Sequence, residues 1–287
     1  MKEMNTHDAG TGSITNQHYI YLENSHRNNW QYRILVPNCI EIIRHSTGIS
    51  LRYLYLGYHF IFLGLSLMFF FYFLRKWFSL VISLLGVTIL SSIYIASYNI
   101  FNPSDIMVLF LFTVCSYIIV HKFHNNAYHF LLFSIFFIGM FNKETIVFVM
   151  LSYLFYHIHH FSLKRKYWHI SMSILSILSI FLPYFILRYM HGFSSAYIFA
   201  GISNLQSPYT WGLFFLLHNV ILIWALKGYK KKPVELKIFF YSTIFFYIGH
   251  FIVGNIKEIR LFMPVFIYFI PMALFTLKTE SREMDLP

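Results

Sequence analysis

The sequence predicts an all-α, polytopic membrane protein with about nine transmembrane segments. Three observations carry this. Hydrophobic residues fill 57% of the 287 positions and charged ones only 11%, whereas soluble domains carry about 25% charged residues. The mean hydropathy is +0.58. The apolar residues also fall in long runs separated by short basic or polar stretches, as membrane helices alternating with loops require. The formal charge of +11 comes from 22 Lys and Arg against 11 Asp and Glu. Because the basic residues sit in short loops, the partners they predict are membrane lipids and no nucleic acid. Cys39 and Cys115 lie in very different settings, so no disulfide is expected, and no metal-type cysteine spacing exists. The first ~20 residues are polar and hold no apolar core, so no cleavable signal peptide is expected.

Residues 1–53 read as an extracytoplasmic, interfacial N-terminal segment. Only 34–43 is markedly apolar there, and Pro37 and Asn38 interrupt it. It suits a helix lying at the membrane surface, with Trp30 and Tyr32 at headgroup level. The helical membrane domain covers 54–277, with spans expected at 54–74, 78–98, 106–120, 128–141, 145–156, 170–190, 211–226, 237–254 and 261–277. Residues 278–287 form a cytoplasmic tail. A span needs ~20 apolar residues for a ~30 Å core, so the fourth and fifth are short. They are either one broken helix or a hairpin turning at Asn142-Lys143-Glu144. Charge decides, because Arg75-Lys76, Lys122, Lys164-Arg165-Lys166, Lys227 and Lys230-Lys231-Lys232 share one side only if the pair counts as two crossings. The hairpin is the expectation. No internal repeat is visible.

This topology collects the remaining ionisable residues on the outer face: Asp105, Lys143, Glu144, Arg188, Glu258 and Arg260, with Asp8 and Arg33 in the tail. Ionisable residues in or at the ends of membrane segments are costly, which makes them functional candidates. Carboxylates here can act as a base, while Arg and Lys can hold phosphate. Each also has a plain structural reading. Asp105 can cap a helix after Pro103-Ser104. Lys143 and Glu144 can pair with each other, and Lys257, Glu258 and Arg260 can form a solvated loop. His157, His159 and His160, beside a basic run on the other side, read as packing.

Four segments in order, WQYRILVP (30–37), FNPSDIMVLFLF (101–112), FNKET (141–145) and KEIRLFMPVFIYFIPMAL (257–274), resemble a group of bacterial multi-pass proteins placed with the GT-C class of glycosyltransferases. The resemblance covers the chain from about residue 8. It implies a GT-C-like fold in the bacterial cytoplasmic (inner) membrane and transfer of a sugar from a polyprenyl-phosphate-linked donor on the extracytoplasmic face, in cell-surface polysaccharide or glycoconjugate assembly. By order of motifs, the general base of that class maps onto Asp8. The helix that precedes this acid in the class is missing here, so either the start is misplaced or the chain is a truncated copy. The residues themselves allow Asp8 or Asp105 as the base, with Lys143, Arg260, Arg188 and Arg33 holding phosphate and Glu144 and Glu258 orienting them. A divalent metal at Asp105 is an option that one carboxylate supports weakly, and no metal ligands are assigned. The alternatives are a polysaccharide polymerase, a lipid-linked-sugar flippase or transporter, and a degenerate non-catalytic paralogue.

Overall fold

The computed structural model describes residues 18, 19, 22, 33–97, 103–123, 125–191, 220–253 and 259–284, with backbone alone at 191, 253, 259–260 and 279–284. Nine helices are labelled here: α1 (Leu35–Thr47), α2 (Leu51–Leu74), α3 (Leu80–Ser97), α4 (Pro103–Lys122), α5 (Asn126–Met140), α6 (Val147–His159), α7 (Lys166–His191), α8 (Val234–Val253) and α9 (Met263–Met284). A further helical stretch occupies 220–226, and there is no strand among the described residues. The helices α2, α3, α4 and α7 are long and apolar enough to cross a membrane, while α5 and the apolar part of α9 are shorter apolar helices. The described residues are thus all-helical in their regular structure, and the chain has the character of a membrane protein.

Local chemistry sets the helix ends. In α1, Pro37 falls in the first turn, where a missing N–H costs no helical bond. Gly48, at φ 71°, ends that helix by donating its N–H to the Arg44 carbonyl at 2.8 Å. The α4 helix opens on Pro103, whose fixed φ suits the first position. The Asn125 side chain caps α5 by accepting from the Ala127 N–H at 3.0 Å.

The core forms around α4. Of its most apolar stretch, 78% is buried, against 22% for α2 and for α3. A helix apolar on every face belongs inside, and α4 packs against α2, α5, α6 and α9. At mid-height, four helices meet through hydroxyls. Ser116 of α4 donates to Tyr268 of α9 at 3.1 Å, and Ser152 of α6 lies 2.6 Å from Ser242 of α8. Such bonds hold helices together where no water competes.

Contacts between helix ends define two ends of the bundle. At one, Lys76 reaches the Val120 carbonyl at 3.3 Å and Glu235 at 3.2 Å, and Lys278 reaches the Trp77 carbonyl at 2.9 Å. Lys232 is buried there, its Nζ within 3.3 Å of oxygens of Trp224, Ala225, Met272 and Thr276. It closes the end of the 220–226 helix against α9, as a cation at helix-terminal carbonyls should. The basic runs at 75–76, 122, 164–166, 227 and 230–232 all lie at this end. At the opposite end lie the α4 N-terminus, the α5–α6 turn and the C-terminal part of α7.

The structure refines the expected boundaries. The surface helix α1 continues four residues past 43 and leaves Ile42 and Ile43 exposed. The expected span at 145–156 begins with a 3₁₀ turn at Glu144–Ile146, and α6 proper runs from Val147 to His159. Of the span at 211–226, only 220–226 is described, and Trp30 and Tyr32 lie outside the described residues. Cys39 and Cys115 are both free.

Candidate functional site

The site is built on the α5–α6 turn. At the end of α5, the Gly139 carbonyl accepts the N–H groups of both Asn142 and Lys143 at 3.0 Å. Lys143 is then extended, with φ −168° and ψ 137°, so the chain breaks cleanly before Glu144–Ile146. A Cβ on Gly139 would lie 2.9 Å from Ile146 Cγ1 and 3.1 Å from Leu111 Cδ1, so only glycine lets the turn sit this close to α4. The turn is fastened on two sides. The Asn142 amide donates to the Ser104 carbonyl at 3.0 Å, and the Leu35 N–H of α1 donates to the Phe141 carbonyl at 3.0 Å.

This framework brings two ion pairs together. Lys143 Nζ lies 2.6 Å from Asp105 Oδ1, and Arg188 of α7 lies 3.9 Å from Glu144 Oε1. Asp105 is the third residue of α4, where the helix dipole also favours a carboxylate. The cations are the deeper partners: Lys143 is 5% and Arg188 2% exposed, whereas the Asp105 and Glu144 side chains are 15% and 29% exposed. Arg188 also lies over the Tyr184 ring at 5.0 Å. Asp105 keeps the first-turn position where a cap belongs, and its carboxylate also reaches Lys143 in the α5–α6 turn, while Glu144 pairs with α7.

Several buried polar atoms at this end find no hydrogen-bond partner among the described residues: Arg33 Nε, Ser104 Oγ, Asn142 Oδ1 and Thr145 Oγ1. Arg33 reaches this end because α1, two residues on, bonds to Phe141. Below the ion pairs, a groove of about 570 Å³ opens between α5 and α7, lined by Phe130, Phe133, Phe137, Leu175, Leu178 and Leu182 among others. At 1.5 Å per residue, Leu182 is about 9 Å along α7 from Arg188.

Of the predicted residues, Asp105, Lys143, Glu144 and Arg188 therefore share one site, with Arg33 beside it. Asp8 and Glu258 lie outside the described residues, as does the Arg260 side chain, whose backbone belongs to the Ile259–Phe262 turn. No group of three or more His, Cys, Asp or Glu among the described residues is arranged to hold a metal. The histidines at 157–160 belong to the other end. His157 is buried, stacks on Tyr153 and lies 3.1 Å from the His169 carbonyl, a packing arrangement.

Two buried histidines of this end escaped sequence reasoning: His59 in α2 and His250 in α8. The signal was present, since each is an ionisable residue inside an apolar run. Compared with known protein families, characterised proteins and solved structures, the chain matches none.

Proposed function

We propose that this chain is a GT-C-like membrane glycosyltransferase that takes a sugar from a polyprenyl-phosphate-linked donor at the end of the bundle holding Asp105, Lys143, Glu144 and Arg188. One observation carries the reading. Two cations are buried at a membrane helix end, each beside a more exposed carboxylate, with an apolar groove running below them. Burying a charge costs several kcal/mol even when paired, so such groups are retained where they act. Arg188 and Lys143 suit a phosphate leaving group, whose charge grows as the sugar–oxygen bond breaks. Asp105 and Glu144 orient the two cations. The groove suits the donor's hydrocarbon chain.

The same reading gives the chain nine segments in a bacterial cytoplasmic membrane, with the lysine-rich end in the cytoplasm and the site outside. A transporter would place charges along a path at mid-membrane. The described groups at mid-height are the hydroxyls of Ser116, Ser152, Ser242 and Tyr268, which favours the enzyme.

The test uses the full chain in lipid nanodiscs. Polyprenyl phosphate binding should weaken at least ~10-fold in Arg188→Gln and in Lys143→Gln, the loss of one charge-assisted contact. A panel of polyprenyl-phosphate sugars should include one from which the protein releases polyprenyl phosphate. Unchanged affinity in both variants, or no release from any donor, defeats the proposal.

A further inference from the structure

Helix α1 buries one side and leaves the other open. Val36 and Ile40 pack with Leu51 and Tyr55 of α2, and Leu54, Tyr58 and Met107 pack against them. The other side carries Cys39, Ile42 and Ile43, all exposed, Ile42 at 68%. Past the Gly48 turn the exposed apolar side chains continue with Ile49, then with Tyr53, Leu56 and Phe60 of α2. Positions 53, 56 and 60 form one row, at i, i+3 and i+7, on a helix long and apolar enough to cross a membrane. The row that α2 turns to lipid therefore leads onto α1.

The polar side chains of α1 suit the same neighbour. Ser46 Oγ donates to the Ile42 carbonyl at 2.9 Å, Thr47 Oγ1 to the Ile43 carbonyl at 2.7 Å, and the Asn38 amide to the Ile34 carbonyl at 2.7 Å. Each of these exposed donors is spent on the helix's own backbone, so the helix can approach lipid without stranding a polar group. Glu41 is the one carboxylate between residues 33 and 53, and it accepts from Arg44 at 2.7 Å and from His18 at 2.8 Å. Arg52 is exposed beside Tyr53, and a cation next to an aromatic ring suits the level of the lipid phosphates. At its opposite end α1 meets the candidate site, where the Leu35 N–H donates to the Phe141 carbonyl at 3.0 Å, two residues before Lys143.

We propose that α1 is a strap seated in the membrane. Ile42, Ile43, Ile49 and Tyr53 enter the bilayer interface at the Asp105 end, and the Leu35–Phe141 bond passes that position to the turn carrying Lys143. The inference stands apart from the transferase reading, since it needs no donor and no turnover.

The experiment uses the full chain in nanodiscs of phosphatidylcholine and phosphatidylglycerol at neutral pH. With Cys39→Ser removing the exposed thiol, nitroxide labels are placed at Ile42→Cys, Ile43→Cys and, as a control on a polar position, His45→Cys. Labels at 42 and 43 should relax more with oxygen than with a water-soluble nickel chelate, and the label at 45 should show the reverse. Nickel-dominated relaxation at 42 and 43 means a wet face and overturns the seat. Labels shielded from both reagents mean a protein partner or a second copy on that face, which overturns it equally. The strap is read by amide exchange at Leu35, which should run at least ~10-fold faster in the double variant Ile42→Asp, Ile43→Asp than in wild type. Unchanged exchange at Leu35 overturns the link to the turn. Should the double variant fail to fold, Ile42→Ser alone is read in the same way.

Discussion

At the scale of single residues, the Asp105–Lys143 pair dominates. Removing one partner of a buried pair leaves the other charge uncompensated, whereas removing both is close to neutral. Asp105→Asn should therefore destabilise the fold by about 3 kcal/mol, and adding Lys143→Met should recover most of that. Thermal unfolding of the two single variants and the double variant in nanodiscs measures the coupling. Additive losses would show that the pair contributes nothing as a pair. Asp105 and Lys143 were each legible in the sequence as ionisable groups at the ends of apolar runs. Their pairing was not, because the two residues are 38 positions apart, across two helices whose packing alone brings the ends together. His250 was overlooked for a different reason: a histidine in an apolar run reads as neutral packing until its neighbours are known.

At the scale of elements, two connections control the site. The first is the α5–α6 turn. Gly139→Val should push against Ile146 and Leu111 and cost about 1–3 kcal/mol as an overpacked contact. It should also displace Lys143, so polyprenyl phosphate affinity should fall along with thermal stability. Full affinity in a destabilised variant would show that the turn tolerates the shift.

The second connection is α1. His18 Nε2–H donates to Glu41 at 2.8 Å, and the Tyr55 hydroxyl donates to His18 Nδ1 at 2.9 Å, tying α1 to α2. Burial holds His18 below its usual 6.5 despite the Glu41 carboxylate. Burial would raise Glu41, but hydrogen bonds from Arg44 and His18 outweigh it and hold the carboxyl below 4.5. Both groups bind more protons unfolded than folded. Their contributions are full above 6.5 and 4.5 respectively and are lost as pH falls through the lower folded values. Amide exchange across Leu35–Thr47, corrected for intrinsic rates, should accelerate between neutral pH and about 5, and less so in His18→Gln. Equal protection across that range would rule out the latch. None of this was legible beforehand, since His18 sits in a polar tail with no periodicity to place it.

At the scale of the whole molecule, the two ends carry different charge. The described Lys and Arg of the loops between α2 and α3, α4 and α5, α6 and α7, and before α8 share one end, and the Asp105–Lys143 and Glu144–Arg188 pairs occupy the other. In a cysteine-free background, Lys164→Cys should be labelled by an impermeant maleimide only from the cytoplasm, and Thr47→Cys only from outside. Labelling of both from one side would contradict the proposed orientation.

Composition and run length by themselves determined that this is an all-helical chain of membrane character, because burying backbone in lipid leaves helices as the means of satisfying such apolar runs. The order of charges was enough to place the α5–α6 hairpin, since a basic loop resists crossing. Tertiary structure alone decided which charges meet: Lys143 with Asp105, and Arg188 with Glu144. The physical reason is range. Hydropathy sums along the chain and survives any packing, whereas a 2.6 Å contact depends on how α4, α5, α6 and α7 seat against one another.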